Sequence, residues 1–113
     1  MKFLPQRHSI ASFGKGGFRF ADHSHQGHLL VLPSGMYAWD GLDYSMVIAE
    51  KSEIDFFVIG TGATLQRIDK TVLAMLEDQG IYADCMTTSA AIHSYNFMLG
   101  EARRVAAAFI AVP

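Results

Sequence analysis

The apolar positions of the chain fall into runs of two kinds, unbroken and helically spaced, and their alternation gives the elements. Phe56, Phe57, Val58 and Ile59 follow one another without a polar break, the pattern of a strand covered on both faces rather than one with a wet side. Gly60-Thr61-Gly62 then turns the chain. Asp69 comes next, ahead of Val72, Leu73, Met75 and Leu76, which form an apolar helical stripe up to Gly80. An aspartate there accepts from N–H groups of the first turn, and a glycine ends the helix. A strand over Asp55–Ile59, the glycine turn and this helix make one βα unit, and the other segments are placed relative to it.

The pattern repeats downstream. Ile81–Met86 reads as a second buried strand, and Thr87, Thr88 and Ser89 offer three N-caps for a helix carrying Ile92, Tyr95, Met98 or Leu99, and Ala102 at helical spacing. Val105–Val112 is apolar throughout and reads as a closing strand. Upstream, Met1–Ser12 contains Pro5 and is an irregular lead-in or a short edge strand, and Phe13–Gly17 is a glycine-rich turn. Phe18–Phe20 alternates as a half-buried strand does, Asp22–Gly27 has turn chemistry, and His28–Leu32 is expected to return as the second arm of a hairpin. Met36–Trp39 is a further strand, and Asp43 caps a short helix from Tyr44 to about Lys51, with Tyr44, Val47 and Ile48 on one side. Strand, helix, strand, helix, strand in so short a space predicts a single α/β domain over residues 1–113, with right-handed crossovers where strands are parallel.

Composition narrows the partners. The 113 residues are half hydrophobic, enough for one core, and the formal net charge of -2 comes without an acidic or basic block. Nothing in that balance favours nucleic acid or an anionic membrane. Cys85 is the sole cysteine, so no intrachain disulfide forms and a reducing compartment, the cytoplasm, is expected. The N-terminal stretch has charges and a proline where a signal peptide needs an unbroken apolar run. No segment is as apolar as a membrane span requires, so the protein is expected to be soluble and not inserted.

Candidate chemistry follows from the topology. Consecutive parallel strands bring Gly60-Thr61-Gly62 and Thr87-Thr88-Ser89 to one sheet edge, where open α/β sheets bind ligands. The expected site comprises Gly60, Thr61, Gly62, Thr88, Ser89 and His93, the last one turn after Ser89 on the same helix face. A helix N-terminus and a glycine turn together suit an anionic or carbonyl-bearing ligand. The plainer alternative is that the glycines turn, the hydroxyls cap and His93 packs. A dinucleotide fingerprint is not supported, because Leu65 stands where a third glycine belongs. Asp22, His23, His25 and His28 lack a second cluster to complete a metal shell, and solvated histidines at a hairpin tip account for them. No metal or cofactor is predicted. Cys85 reads as a small core hydrophobe, Asp84 as a paired buried acid or a sheet-margin residue, and Trp39 with Asp40 either as a cover for the pocket or, the preferred reading, as a packing staple between the hairpin layer and the core.

Several segments in order carry a resemblance: Phe13-Gly14-Lys15-Gly16-Gly17-Phe18-Arg19, Leu30–Pro33 with Trp39, Ile59–Gly62, Ala90-Ala91 through Tyr95-Asn96 to Glu101, and Arg103–Ala107. With them the chain resembles, nearly end to end, a small family of uncharacterised α/β domains that includes the mitochondrial factor assisting assembly of respiratory complex I. The resemblance implies a three-layer arrangement with a mixed, largely parallel sheet, helices packed on it and an N-terminal β-hairpin layer. It implies no catalytic residue. It also implies an accessory or assembly role through an unknown protein partner, in the cytoplasm or, in a eukaryote, the mitochondrion, with self-association left open. The competing class is a small-molecule binder or enzyme using the two turns; the chain lacks a recognisable nucleophile, base and orienting group at one locus, so the assembly reading is preferred. Members often carry glycine at the position of Ser89, arginine at that of His93 and glycine at that of Ala102. If the backbone is left-handed at Ala102, alanine costs about 1 kcal/mol or more there.

Overall fold

The computed structural model describes residues 2–113; Met1, the first residue of the expected lead-in, lies outside them. The strands are β1 (Lys2–Leu4), β2 (Ser12–Gly14), β3 (Gly17–Phe20), β4 (His23–Gln26), β5 (Leu29–Leu32), β6 (Gly35–Ala38), β7 (Phe56–Gly60), β8 (Ala83–Met86) and β9 (Val105–Phe109). The helices are α1 (Ser45–Ala49), α2 (Lys70–Asp78) and α3 (Thr88–Gly100), with a single 3-10 turn at Lys51–Glu53. A six-stranded mixed sheet runs β1-β6-β5-β9-β7-β8, and a three-stranded antiparallel sheet runs β2-β3-β4. β7 lies parallel to both β8 and β9, while β9 meets β5 antiparallel. These are the parallel βαβαβ half and the N-terminal hairpin layer that the apolar runs and the resemblance predict.

The unbroken apolar strands have the expected cause. β5 and β9 are buried at every residue, because each face of the large sheet has its own cover. Leu29, Val31, Val58, Val105, Ala107 and Phe109 point to one side, where Phe18 and Phe20 of β3 and Ala91, Ile92 and Tyr95 of α3 meet them. Leu30, Leu32, Phe57, Ile59, Ala106 and Ala108 point to the other, against Trp39, Tyr44, Val47 and Leu76. The result is three layers with two apolar seams.

Local signals place most ends. Asp69 caps α2, its carboxylate accepting from Thr71 N at 2.8 Å and from the Thr71 hydroxyl at 2.7 Å; those bonds hold it below the usual carboxylate range. Asp43 accepts from Ser45 N at the start of α1, and Thr87 caps α3. At the other end of α3, Ala102 N donates to Leu99 O and Arg103 N to Met98 O, the paired bonds of a Schellman end. Ala102 sits at φ 57°, so the conditional cost attached to alanine there applies.

The hairpin expectation needs correction. Phe18–Phe20 does not pair with His28–Leu32; β3 pairs with His23–Gln26, the stretch read as turn, and β5 belongs to the large sheet beside β6 and β9. The turn is the two residues Ala21-Asp22, both at positive φ, a geometry for which asparagine and glycine are the usual signals. Nor are the histidines simply solvated. His25 is 7% exposed with Nε2 2.8 Å from His28 O, and His28 Nδ1 accepts from Ala111 N. Only His23 keeps an exposed place, stacked near Phe20.

Candidate functional site

The glycine turn after β7 and the start of α3 do meet, as parallel neighbours must, and they meet very closely. Thr88 N donates to Gly62 O at 2.9 Å, Gly62 N donates to Thr88 Oγ1 at 2.9 Å, and that hydroxyl donates to Ile110 O at 2.7 Å. Thr61 N donates to Met86 O, and Ile110 N to Gly60 O. The Thr61 hydroxyl donates to Thr64 O and accepts from Gln66 N, which fixes the first residues after the turn. Thr88 is 0% and Thr61 6% exposed. A Cβ on Gly60 would lie 2.8 Å from Thr88 Cα, so glycine is required for this approach.

The six expected residues therefore divide. Gly60, Thr61, Gly62 and Thr88 knot the ends of β7 and β9 to the first turn of α3, and their polar groups answer one another. Ser89 and His93 are exposed on the outer side of α3. There they line a shallow groove of about 410 Å³ with Ile10, Ala11, Ser12, Phe13, Ile92 and Asn96. Its far wall is the approach to β2, which the strand order alone does not bring to α3.

Asn96 decides how that wall is held, and it was not among the expected site residues. Its Oδ1 accepts from Ile10 N at 2.8 Å and its Nδ2 donates to Ile10 O at 2.9 Å, so the amide stands in for one rung of a neighbouring strand. Beside it, the Tyr95 hydroxyl donates to His8 O at 2.8 Å, and Arg7 Nη1 donates to Val105 O at 2.9 Å. Burial pushes the Tyr95 phenol up from its ordinary range. The sequence did carry a signal, since asparagine inside a helix competes with the backbone and is poorly favoured unless its side chain has a partner.

Other chemistry-bearing groups are turned to structural work. Cys85 is half-buried on the α1 and α2 side, and burial raises its thiol, which suppresses the thiolate a nucleophile needs. Trp39, 8% exposed, donates Nε1–H to Asp43 O and meets His28 and Tyr44 edge-on, the packing role expected of it. Asp84 is exposed on β8. Asp40 accepts from Asp43 N and Leu42 N, which lowers its carboxyl. Among the described residues there is no cluster of three or more His, Cys, Asp or Glu placed to hold a metal ion.

Fold and site together define a class: a three-layer α/β domain whose sheet-edge turns are closed on each other and whose exposed candidate residues, Ser89 and His93, lie in a shallow groove. Residues 10–110 match the model of a family described as protein of unknown function (DUF498/DUF598). The chain belongs to that family. It is similar to an uncharacterized protein of Rhodobacter capsulatus, 34% identical over 105 residues that cover 92% of this chain and 85% of that one. It is also similar to NADH dehydrogenase (ubiquinone) 1 alpha subcomplex assembly factor 3 of Danio rerio, 30% identical over 112 residues. That alignment covers 92% of this chain but 64% of the fish protein, so the chain spans less than two thirds of that relative. Among solved structures, one described as an outer membrane protein from Bartonella henselae superposes with a TM-score of 0.93 at 38% identity, over 98% of this chain and 100% of that one. A protein from Rhodopseudomonas palustris gives 0.84 at 40% identity, over 100% and 90%. Among the described residues of the present chain, no helix is long and apolar enough to cross a membrane.

Proposed function

We propose that this chain is an accessory or assembly-type protein that acts through protein–protein contacts in the cytoplasm, on a subunit of an NADH dehydrogenase-type respiratory complex. The observation that carries the reading is the alignment to a named assembly factor over nearly the whole chain. The knotted turns support it, because the residues best placed for small-molecule chemistry spend their hydrogen bonds on one another. A crosslinked pull-down from the native cell extract, run beside a thermal-shift screen of anions and metabolites, tests it. Reproducible recovery of a respiratory-complex subunit is the expected result; saturable stabilisation by one metabolite with no such subunit recovered overturns it.

A second reading keeps a small-molecule site and is favoured by one observation, the groove that Ser89 and His93 share with Asn96. It takes an anionic or carbonyl-bearing compound, with the knot of Gly60, Thr61, Gly62 and Thr88 holding the floor of the helix N-terminus in place. His93→Ala then weakens binding of the compound found in the screen by about 1 kcal/mol, the scale of one hydrogen bond, and leaves the fold intact. Unchanged affinity in that variant removes the reading.

A further inference from the structure

The large sheet has two edges, and they are treated differently. β1 slips register against β6 between Lys2 and Leu4 and is followed by Pro5, two devices that blunt an edge. β8, at the other end of the sheet, carries no proline, lysine or arginine in Ala83-Asp84-Cys85-Met86, and its register against β7 is regular. Thr61 N donates to Met86 O, so Met86, and Asp84 two residues before it, turn their backbone groups toward β7. By alternation Ala83 and Cys85 turn both N–H and C=O out of the sheet.

The surroundings of that edge are selective. On the α2 side, Leu73, Glu77, Tyr82 and Ala83 line a notch of about 160 Å³, with Tyr82 72% exposed. On the α3 side, Asp84 stands exposed at the middle of the strand. A second copy of this chain pairing antiparallel through the outward groups of Ala83 and Cys85 would set Asp84 of one molecule opposite Asp84 of the other, which disfavours it. A strand with basic residues has no such conflict.

We infer that β8 is a docking edge for an extended segment of a partner protein, one that alternates basic and apolar residues. The basic side chains lie opposite Asp84 on the α3 face, the apolar ones enter the Leu73–Tyr82 notch on the α2 face, and Ala83 and Cys85 supply the backbone bonds. This rests on the protein–protein reading proposed above and names the surface it uses.

A blocked synthetic peptide of alternating valine and lysine, titrated into nitrogen-15-labelled protein, tests the edge directly. Shifts and slowed exchange at the amides of Ala83 and Cys85 are expected, and a valine–glutamate peptide should bind about tenfold more weakly, from a few cross-strand charge pairs. Cys85→Pro removes an outward N–H at a position where an edge strand tolerates proline, and binding should be lost. If that variant does not fold, Asp84→Lys still decides, because it should reverse the preference in favour of the glutamate peptide. Shifts confined to the β2 edge or the Ser89–His93 groove, equal binding of both peptides, or self-association through β8 without peptide each overturn the proposal. Partner recovery that survives Asp84→Lys leaves the assembly reading standing and removes this edge. Peptide binding at β8 with no partner recovered does the reverse.

Discussion

The two faces of the six-stranded sheet are covered by different means. On one, the 13-residue α3 is capped at its start by Thr87 and closed by a Schellman end, and four of its residues are buried. Polar bonds from Tyr95 and Asn96 tie it to residues 86 and 87 positions away in sequence, at Ile10 and His8. On the other, α1 has five residues and the nine-residue α2 buries only Leu76 fully. The side-chain bonds on that side include Ser34 to Glu50 and Lys51 to Gln79, which span 16 and 28 residues, and at its margin the exposed Arg104–Asp55 pair, which spans 49. One face is locked by long-range hydrogen bonds over a full apolar seam. The other rests mainly on apolar contact and leaves Met75 37% exposed.

The contrast is sharpest in truncations. Tyr95→Ala removes a fully buried ring that meets Phe109 edge-on and is expected to cost about 3–5 kcal/mol in denaturant unfolding. Met75→Ala on α2 should cost less than about 1 kcal/mol, as partly exposed positions do. Similar losses for the two would erase the distinction between the faces. Amide exchange offers the same comparison without mutation, with α2 opening at lower free energy than α3.

Next in size is the phenol alone. Tyr95→Phe keeps the ring and loses the bond to His8 O, an expected cost of about 0.5–1.5 kcal/mol at neutral pH. The pH dependence separates this from simple packing. Because the folded pKa of Tyr95 is raised by burial above its unfolded value, its contribution is fully present below about pH 10 and falls as pH climbs beyond it. The parent protein should lose stability through that range, and the phenylalanine variant should lose less. Parallel alkaline curves for the two would place the ionisation elsewhere.

The smallest effect is a gain. Ala102 at φ 57° occupies the left-handed position of the Schellman end, so Ala102→Gly should stabilise the protein by about 1 kcal/mol. Thermal melts that show no rise would mean the alanine is held there without strain.

How much of this was legible follows from where the signals lie. The βαβαβ half was readable because β7 and β9 are unbroken apolar runs and its helices begin with Asp69 and Thr87, side chains whose capping needs only local sequence; β8, expected as a buried strand, is instead the sheet's edge, with Asp84 exposed in its middle. The N-terminal sheet was misread because Ala21-Asp22 lacks the residues that advertise a two-residue turn, and because β4 is polar, with His25 alone buried among His23–Gln26. Strand order revealed that the two turns would meet, but not that the Thr88 hydroxyl would bridge Gly62 and Ile110 and close the space between them. The groove that holds Ser89 and His93 depends on Ile10–Phe13 arriving from the far end of the sequence, a placement no local pattern encodes.

The bonds of Arg7, His8 and Ile10 also set an order of events during synthesis. Their partners, Val105 O, the Tyr95 hydroxyl and the Asn96 amide, lie 98, 87 and 86 residues later. On the ribosome the early segment therefore waits, unpaired, until α3 and then β9 have left the exit tunnel. The parallel half can form its short-range contacts first, and closing so long a loop costs only about 0.6 kcal/mol more than closing one half its length. The bonds of Arg7, His8 and Ile10 can thus form only after α3 and β9 are made, though these residues are translated well before either.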